Sequence, residues 1–358
     1  MNTVTTISNM NNGTASNRVE YYYICGVPSR MLEQINIYFV LMCFVKPAMS
    51  ILGITANIIS LQILRLSGLH KPSNILLFSL VIADTLCLGR SINYGAILFW
   101  FGPDDVMCGF RYSEGINYFL LYSMIGMQYF HLWGEMSNTM FPVLITFERL
   151  VAVFKPLTFS RIINRRRTIV LVVCAYLIWL PWTLFLPSLY EVGFSPMSQN
   201  VTYMRPALSK WFFSNILILN MYDTNVNQTF SNTLPLIFVT FGNIVLGIKV
   251  SVALKKRRSL TSSQKMSWSP RTTRTLMLTC FIFVISTATG TIMTQMDNSL
   301  IEDVASYYVR REVRILLLQI NSSSSLFIYI ASNRRFFDIF CSMFGIALKL
   351  IKPPEDGI

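Results

Sequence analysis

Long apolar runs separated by short polar ones organise this chain. Runs long enough to cross a bilayer, which takes roughly 20 mostly apolar residues, fall at about 36–62, 73–98, 120–147, 169–190, 229–253, 276–296 and 313–332. Each reads as a helix, because a backbone crossing hydrocarbon must satisfy its own hydrogen bonds. The first and third exceed the needed length, so they tilt or project beyond the membrane. An eighth apolar stretch, WFFSNILILNMY at 211–222, is too short to span and reads as part of an ordered loop. The pattern predicts an all-α membrane protein, a seven-transmembrane helix bundle. A tail over 1–35 precedes the bundle at 36–332, and a membrane-surface helix with a short tail follows over 333–358.

Composition agrees. Hydrophobic residues make up 53% of the chain and charged residues 13%, against about 25% charged in soluble domains. A soluble globule and a disordered chain are both excluded by that balance. The net charge of +13 could signal nucleic acid, but its placement says otherwise. Twenty of the 30 Lys and Arg lie in segments on one side of the spans and eight on the other, with Lys46 and Arg90 inside spans. The richer side is cytoplasmic by the positive-inside rule. That puts the N-terminus outside and the C-terminus in the cytoplasm of a multi-pass plasma-membrane protein, with no nucleic-acid partner. MNTVTTISNM lacks the apolar core of a signal peptide, so the first span is expected to act as its own insertion signal. Three sequons, at Asn12, Asn200 and Asn227, fall on the outer side and are candidate glycosylation sites. A fourth match, Asn321-Ser322-Ser323, lies within the seventh span.

Ionisable residues inside spans are costly and usually functional. Lys46, Arg90, His131 and Glu135 belong to the outer halves of their spans, and Asp84 lies deep in the second. His131 and Glu135 are four apart and share a helix face. The outer four are candidate ligand contacts or an internal network in which Glu135 offsets Lys46 or Arg90. Outer segments hold 11 acids against eight bases, a rim that attracts cationic ligands. The second outer segment, about 191–228, could form a hairpin over the pocket. His70 and His131 are the only histidines and lie on opposite sides, so no His pair can hold a metal; an enzyme is not expected. A transporter would show internal repeats, and none is visible between the halves.

Several segments carry a sharper pattern: Asn57 in GITANII, Asp84 in SLVIAD, Glu148-Arg149-Leu150 continuing as VAVFKPL, and INSSSSLFIY followed by NRRFFDIF. Together they resemble rhodopsin-like G-protein-coupled receptors over about 35–345, and within them invertebrate FMRFamide-type neuropeptide receptors. The resemblance implies a receptor that converts agonist binding into activation of a heterotrimeric G protein, with an amidated, cationic neuropeptide as ligand. A chemosensory receptor for small molecules on the same fold is the alternative. It implies a switch in which Arg149 pairs with Glu148 at rest and Tyr329 swings inward on activation. It also implies a polar network of Asn57, Asp84, Asn138, Asn321, Ser322 and Ser325 able to hold a sodium ion; a plain hydrogen-bond network is the alternative. Gln319 stands where opsins carry their retinal-binding Lys, and His131 where amine receptors carry an Asp, so it joins the candidate ligand contacts.

The pattern also departs from that family. No Cys lies in 109–173 or 190–228, so the usual disulfide to the second outer loop cannot form. Cys25 and Cys108 are the only outer cysteines and either pair with each other or stay free. The sixth span reads Ser286-Thr287-Ala288-Thr289-Gly290 where the family has Cys-Trp-x-Pro, and the seventh has Leu326 in place of Pro. After Tyr329, the residues Phe336, Phe340 and Met343 recur at helical spacing beside Arg334 and Arg335, as on an inner-leaflet helix, where Cys341 could be palmitoylated or simply buried. Arrestin, if recruited, would read Ser259, Thr261, Ser262 and Ser263 in the third inner loop.

Overall fold

The computed structural model describes residues 37–108, 114–185, 190–197, 201–222, 225, 228–259, 270–299, 304–332 and 334–345. Seven long helices form a closed ring: α1 (Ile37–Ser67), α2 (Pro72–Cys108), α3 (Glu114–Phe154), α4 (Arg165–Phe185), α5 (Leu234–Ser259), α6 (Pro270–Ser299) and α7 (Val304–Ser332). A shorter helix, α8 (Arg334–Met343), follows and packs on α7 and α1. Helix α7 returns to α1 and closes the ring, while α3 runs through the middle, touching α2, α4, α5 and α6. Six of these helices are long and apolar enough to cross a membrane. The exception is α3, whose apolar run is interrupted by His131, Trp133, Glu135 and Asn138. The most central helix can carry polar groups because its neighbours shield it from lipid.

Local sequence explains several joints. Pro47 supplies no N–H to the preceding turn, and α1 widens ahead of it into a π-helical turn over Leu41–Val45. Gly68 ends α1 at φ 90°, a left-handed cap that favours glycine. Helix α4 loosens at Ile178 and Trp179, just ahead of Pro181. Tyr176, beside that break, ties three helices. Its carbonyl accepts from Trp133 Nε1 at 2.9 Å, and its hydroxyl donates to Ser79 O at 2.7 Å. Trp133 therefore faces α4. Removing that hydroxyl by Tyr176→Phe should cost about 1 kcal/mol, read as a shorter half-life of detergent-solubilised protein at fixed temperature. An unchanged half-life would show that the bond contributes nothing net.

The interior combines an apolar core, in which Ile63, Leu64, Val81, Phe141 and Ile145 are fully buried, with an unusual number of buried polar groups. Ser50, Asn57, Ser60, Asp84, Ser137 and Asn138 are buried, while Leu52, Phe119, Phe241, Ile248 and Phe327 are exposed. Lipid is as apolar as leucine, so close packing and internal hydrogen bonds hold the helices together. Gly134 shows how close: a Cβ there would sit 2.9 Å from the Ala83 carbonyl oxygen and 2.7 Å from Leu86 Cβ. That contact presses α3 onto α2 between Asp84 and His131.

Outside the ring, Tyr190–Met197 (β1) and Val201–Leu208 (β2) pair as an antiparallel hairpin, from Tyr190 opposite Leu208 to Met197 opposite Val201. The all-α expectation is corrected by this pair of strands, while the expected outer hairpin is present and β2 packs on α3. The 211–222 stretch forms two short helices, Lys210–Ser214 and Ile216–Tyr222, the first capped by the Ser209 hydroxyl.

Candidate functional site

Polar groups gather at three levels of the bundle. At the first, Lys46 of α1 forms a buried ion pair with Glu312 of α7 and also reaches Met42 Sδ at 3.2 Å. This corrects the expectation that Glu135 offsets Lys46. Glu312 lies just ahead of the 313–332 apolar run, but α7 begins at Val304 and carries it inside the ring. Arg90 lies close enough for its charge to be felt at Lys46 and His131.

The second level is a cavity of about 180 Å³ between α3, α6, α7 and the π-helical turn Thr229–Thr233 that leads into α5. His131, Glu135 and Gln319, three of the sequence candidates, line it; Lys46 and Arg90 do not. His131 Nδ1 donates to Cys87 O at 2.7 Å, which turns Nε2 toward Glu135 Oε2 at 3.6 Å. Glu135 stays partly open, with 39% of its side chain exposed. Gln319 donates to Ser91 and, at 3.1 Å, to Ser50, while its buried Oε1 accepts no hydrogen bond from the described residues. Sequence reasoning missed Arg314, which lines the cavity beside Gly290: a Cβ on Gly290 would lie 3.5 Å from Arg314 Cγ. Thr287 and Thr291 of α6 complete that wall, in the run that replaces the family's Trp and Pro.

Below the cavity sits Asp84. Asn138 Nδ2 donates to its Oδ1 at 3.0 Å and Ser325 Oγ to its Oδ2 at 3.4 Å; the Ser322 hydroxyl also reaches the carboxylate. Asn57 joins through Ser322 O at 3.2 Å. Neither Asn57 nor Asn321 bonds Asp84 directly; Asn321 lines the cavity above. Pro142 in α3 has no N–H for the carbonyl four residues back, at Asn138. That frees a further oxygen at this level.

The third level is the inner end. Arg149 Nε and Nη2 donate to Glu148 Oε2 and Oε1 at 2.5 and 2.8 Å, and Nη2 also donates to Ser73 of α2. Ser73 in turn donates to Glu148 Oε1 at 3.0 Å. Both charges are buried. The two neighbours are paired, and Ser73 of α2 clasps both. Tyr329 is fully buried with its ring against Phe336 of α8, centroids 5.6 Å apart. Cys341 is buried at 3% exposure, so its thiol does not face the bilayer as palmitoylation would require. Asn12, Asn200, Asn227, Cys25, Thr261, Ser262 and Ser263 lie outside the described residues. Cys108 and Ser259 end α2 and α5, with side chains also outside the description.

With this geometry in place, the family comparison decides the class. The family described as serpentine type 7TM GPCR chemoreceptor Srx matches residues 48–309. The chain belongs to that family. It is a multi-span membrane receptor of the G-protein-coupled type, and membership implies an extracellular ligand and G-protein coupling in general. The family carries the chemosensory reading over the FMRFamide-type one. Among curated proteins, none matches the chain.

Proposed function

We propose that this receptor detects a small polar molecule bearing a protonated amine and passes its binding to a heterotrimeric G protein. All seven long helices span the plasma membrane, with the N-terminus outside, the C-terminus in the cytosol and α8 on the inner leaflet. The observation that carries this reading is the cavity. Its roughly 180 Å³ falls below the 300–1,000 Å³ of drug-sized pockets, too little for a peptide of several residues. A partly open Glu135 presents an acceptor to a ligand, and Arg314 can meet an acidic group on the same molecule. The neuropeptide reading loses its support on size and family together.

The Asp84 level fits a sodium ion. Its donors are all oxygens, and Asn138 Oδ1 is buried without a hydrogen-bond partner. Asp84, Ser322, Ser325 and Asn138 would hold the ion, which would offset a carboxylate otherwise costly to bury. Arg149, held by Glu148 and Ser73, is the group whose release would open the inner face to the G protein.

The test is second-messenger output from cells expressing the chain, screened with small amines and amino acids beside a peptide set. A saturable response to a small amine should shift by tenfold or more in Glu135→Gln, the scale of a hydrogen bond to a charged group. It should vanish in Thr291→Phe, which fills the cavity, at equal surface expression. A response confined to peptides and indifferent to both substitutions would overturn the proposal.

A further inference from the structure

A second cavity, of about 360 Å³, opens at the inner end between α2, α3 and α4. Of its lining residues, only Glu148 takes part in the signalling route above. We propose that it seats one anionic phospholipid of the inner leaflet, the phosphate on Arg166 and an acyl chain along Phe147, Val170 and Leu171. The inner-leaflet placement rests on the proposed orientation; the binding chemistry does not.

The groove has an apolar length and a basic mouth. Leu76 and Leu144 form its back, and Phe147 and Val170, 43% and 59% exposed, form its open edge. Exposed apolar surface on a membrane-spanning helix faces acyl chains. Arg166 and Val170 are one turn apart, about 6 Å along the helix axis. That matches the step from the headgroup zone to the hydrocarbon edge, about 5–8 Å per leaflet.

The charges at the mouth are not equivalent. Arg167 Nη1 is committed to the carbonyls of Arg161 and Ile162 at 2.6 and 3.1 Å, and its backbone N–H to Asn164 Oδ1 at 2.9 Å. Those bonds fix the loop that closes the groove. Glu148, at the inner wall, is neutralised by Arg149. Arg166 is exposed at the rim beside Arg165, and residues 155–168 hold no acid to offset either. The local field therefore selects an anion, and the walls select one with a chain attached.

The test uses the full-length receptor in nanodiscs of phosphatidylcholine with a minority of phosphatidylserine, bound lipid being read by native mass spectrometry. Both leaflets carry the same lipids, so the result is independent of orientation and of any agonist. Phosphatidylserine should be retained over phosphatidylcholine. Arg166→Gln should cut that preference about fivefold, the effect of one basic residue near a charged surface. Val170→Trp should block the groove and release both lipids, while Lys255→Gln with Lys256→Gln in the third inner loop should change nothing. Equal retention of the two lipids, or equal losses in the loop variant, would overturn the site. So would displacement by soluble glycerophosphoserine as effective as by lipid, since that marks a phosphate site without a seat for a chain. If Val170→Trp is not monodisperse, Arg166→Gln carries the test alone.

Discussion

Lys46→Met is expected to destabilise the receptor by about 3–5 kcal/mol, the cost of stranding a buried charge when its partner is removed. The stranded group is Glu312, 3% exposed on α7. Glu312→Leu should do similar damage by leaving Lys46 alone at 4% exposure. The double substitution removes both charges and should recover most of the loss, because a well-packed apolar pair can replace a buried ion pair at little cost. Thermal inactivation in detergent and surface expression are the measurements. The pair joins the first and last helices of the ring, so its loss should loosen ring closure and lower both together. If the double variant were as damaged as the sum of the singles, the two residues would be uncoupled and the ion pair would not be what closes the ring.

Glu148→Gln should raise agonist-free activity. Arg149 is buried and places three contacts on Glu148 and Ser73. Neutralising Glu148 leaves the guanidinium under-compensated in the resting arrangement and gains nothing in any arrangement where Arg149 has already let go. A bias of about 1.4 kcal/mol multiplies the active fraction tenfold while that fraction is small, and half the loss of a buried pair reaches that figure. The measurement is guanine-nucleotide exchange on a G protein in vesicles, at matched receptor density and without agonist. Ser73→Ala should move in the same direction by less, since it removes a neutral hydroxyl. Unchanged basal exchange in Glu148→Gln, with exchange abolished by Arg149→Ala, would show that Glu148 does not hold the resting state.

Much of this architecture is legible in the sequence. The seven apolar runs coincide with long helices, six of them apolar enough to cross a membrane, because a 20-residue apolar run is a local property of the sequence. Asp84 with Asn138 and Ser325, and Arg149 with Glu148, are also legible, because intramembrane charge is costly enough that each charged residue points to a partner. The family's chemosensory character was visible only as an alternative. The segments around Asn57, Asp84 and Glu148-Arg149 are the ones that carry a resemblance, and the cavity residues carry no comparable pattern.

What the tertiary structure alone decided is which charges are inside. The charges Arg310, Arg311, Glu312 and Arg314 crowd the outer edge of the seventh apolar run, where the local sequence reads as solvated. The partner of Glu312 lies 266 residues away at Lys46, and only closure of α7 onto α1 brings the two together. That closure extends α7 to Val304, buries Glu312 and turns Arg314 beside Gly290 into the cavity wall. It also separates Lys46 from the cavity residues His131, Glu135 and Gln319. Hydropathy reports the average character of a segment; the position of a single charge depends on what a distant helix sets against it.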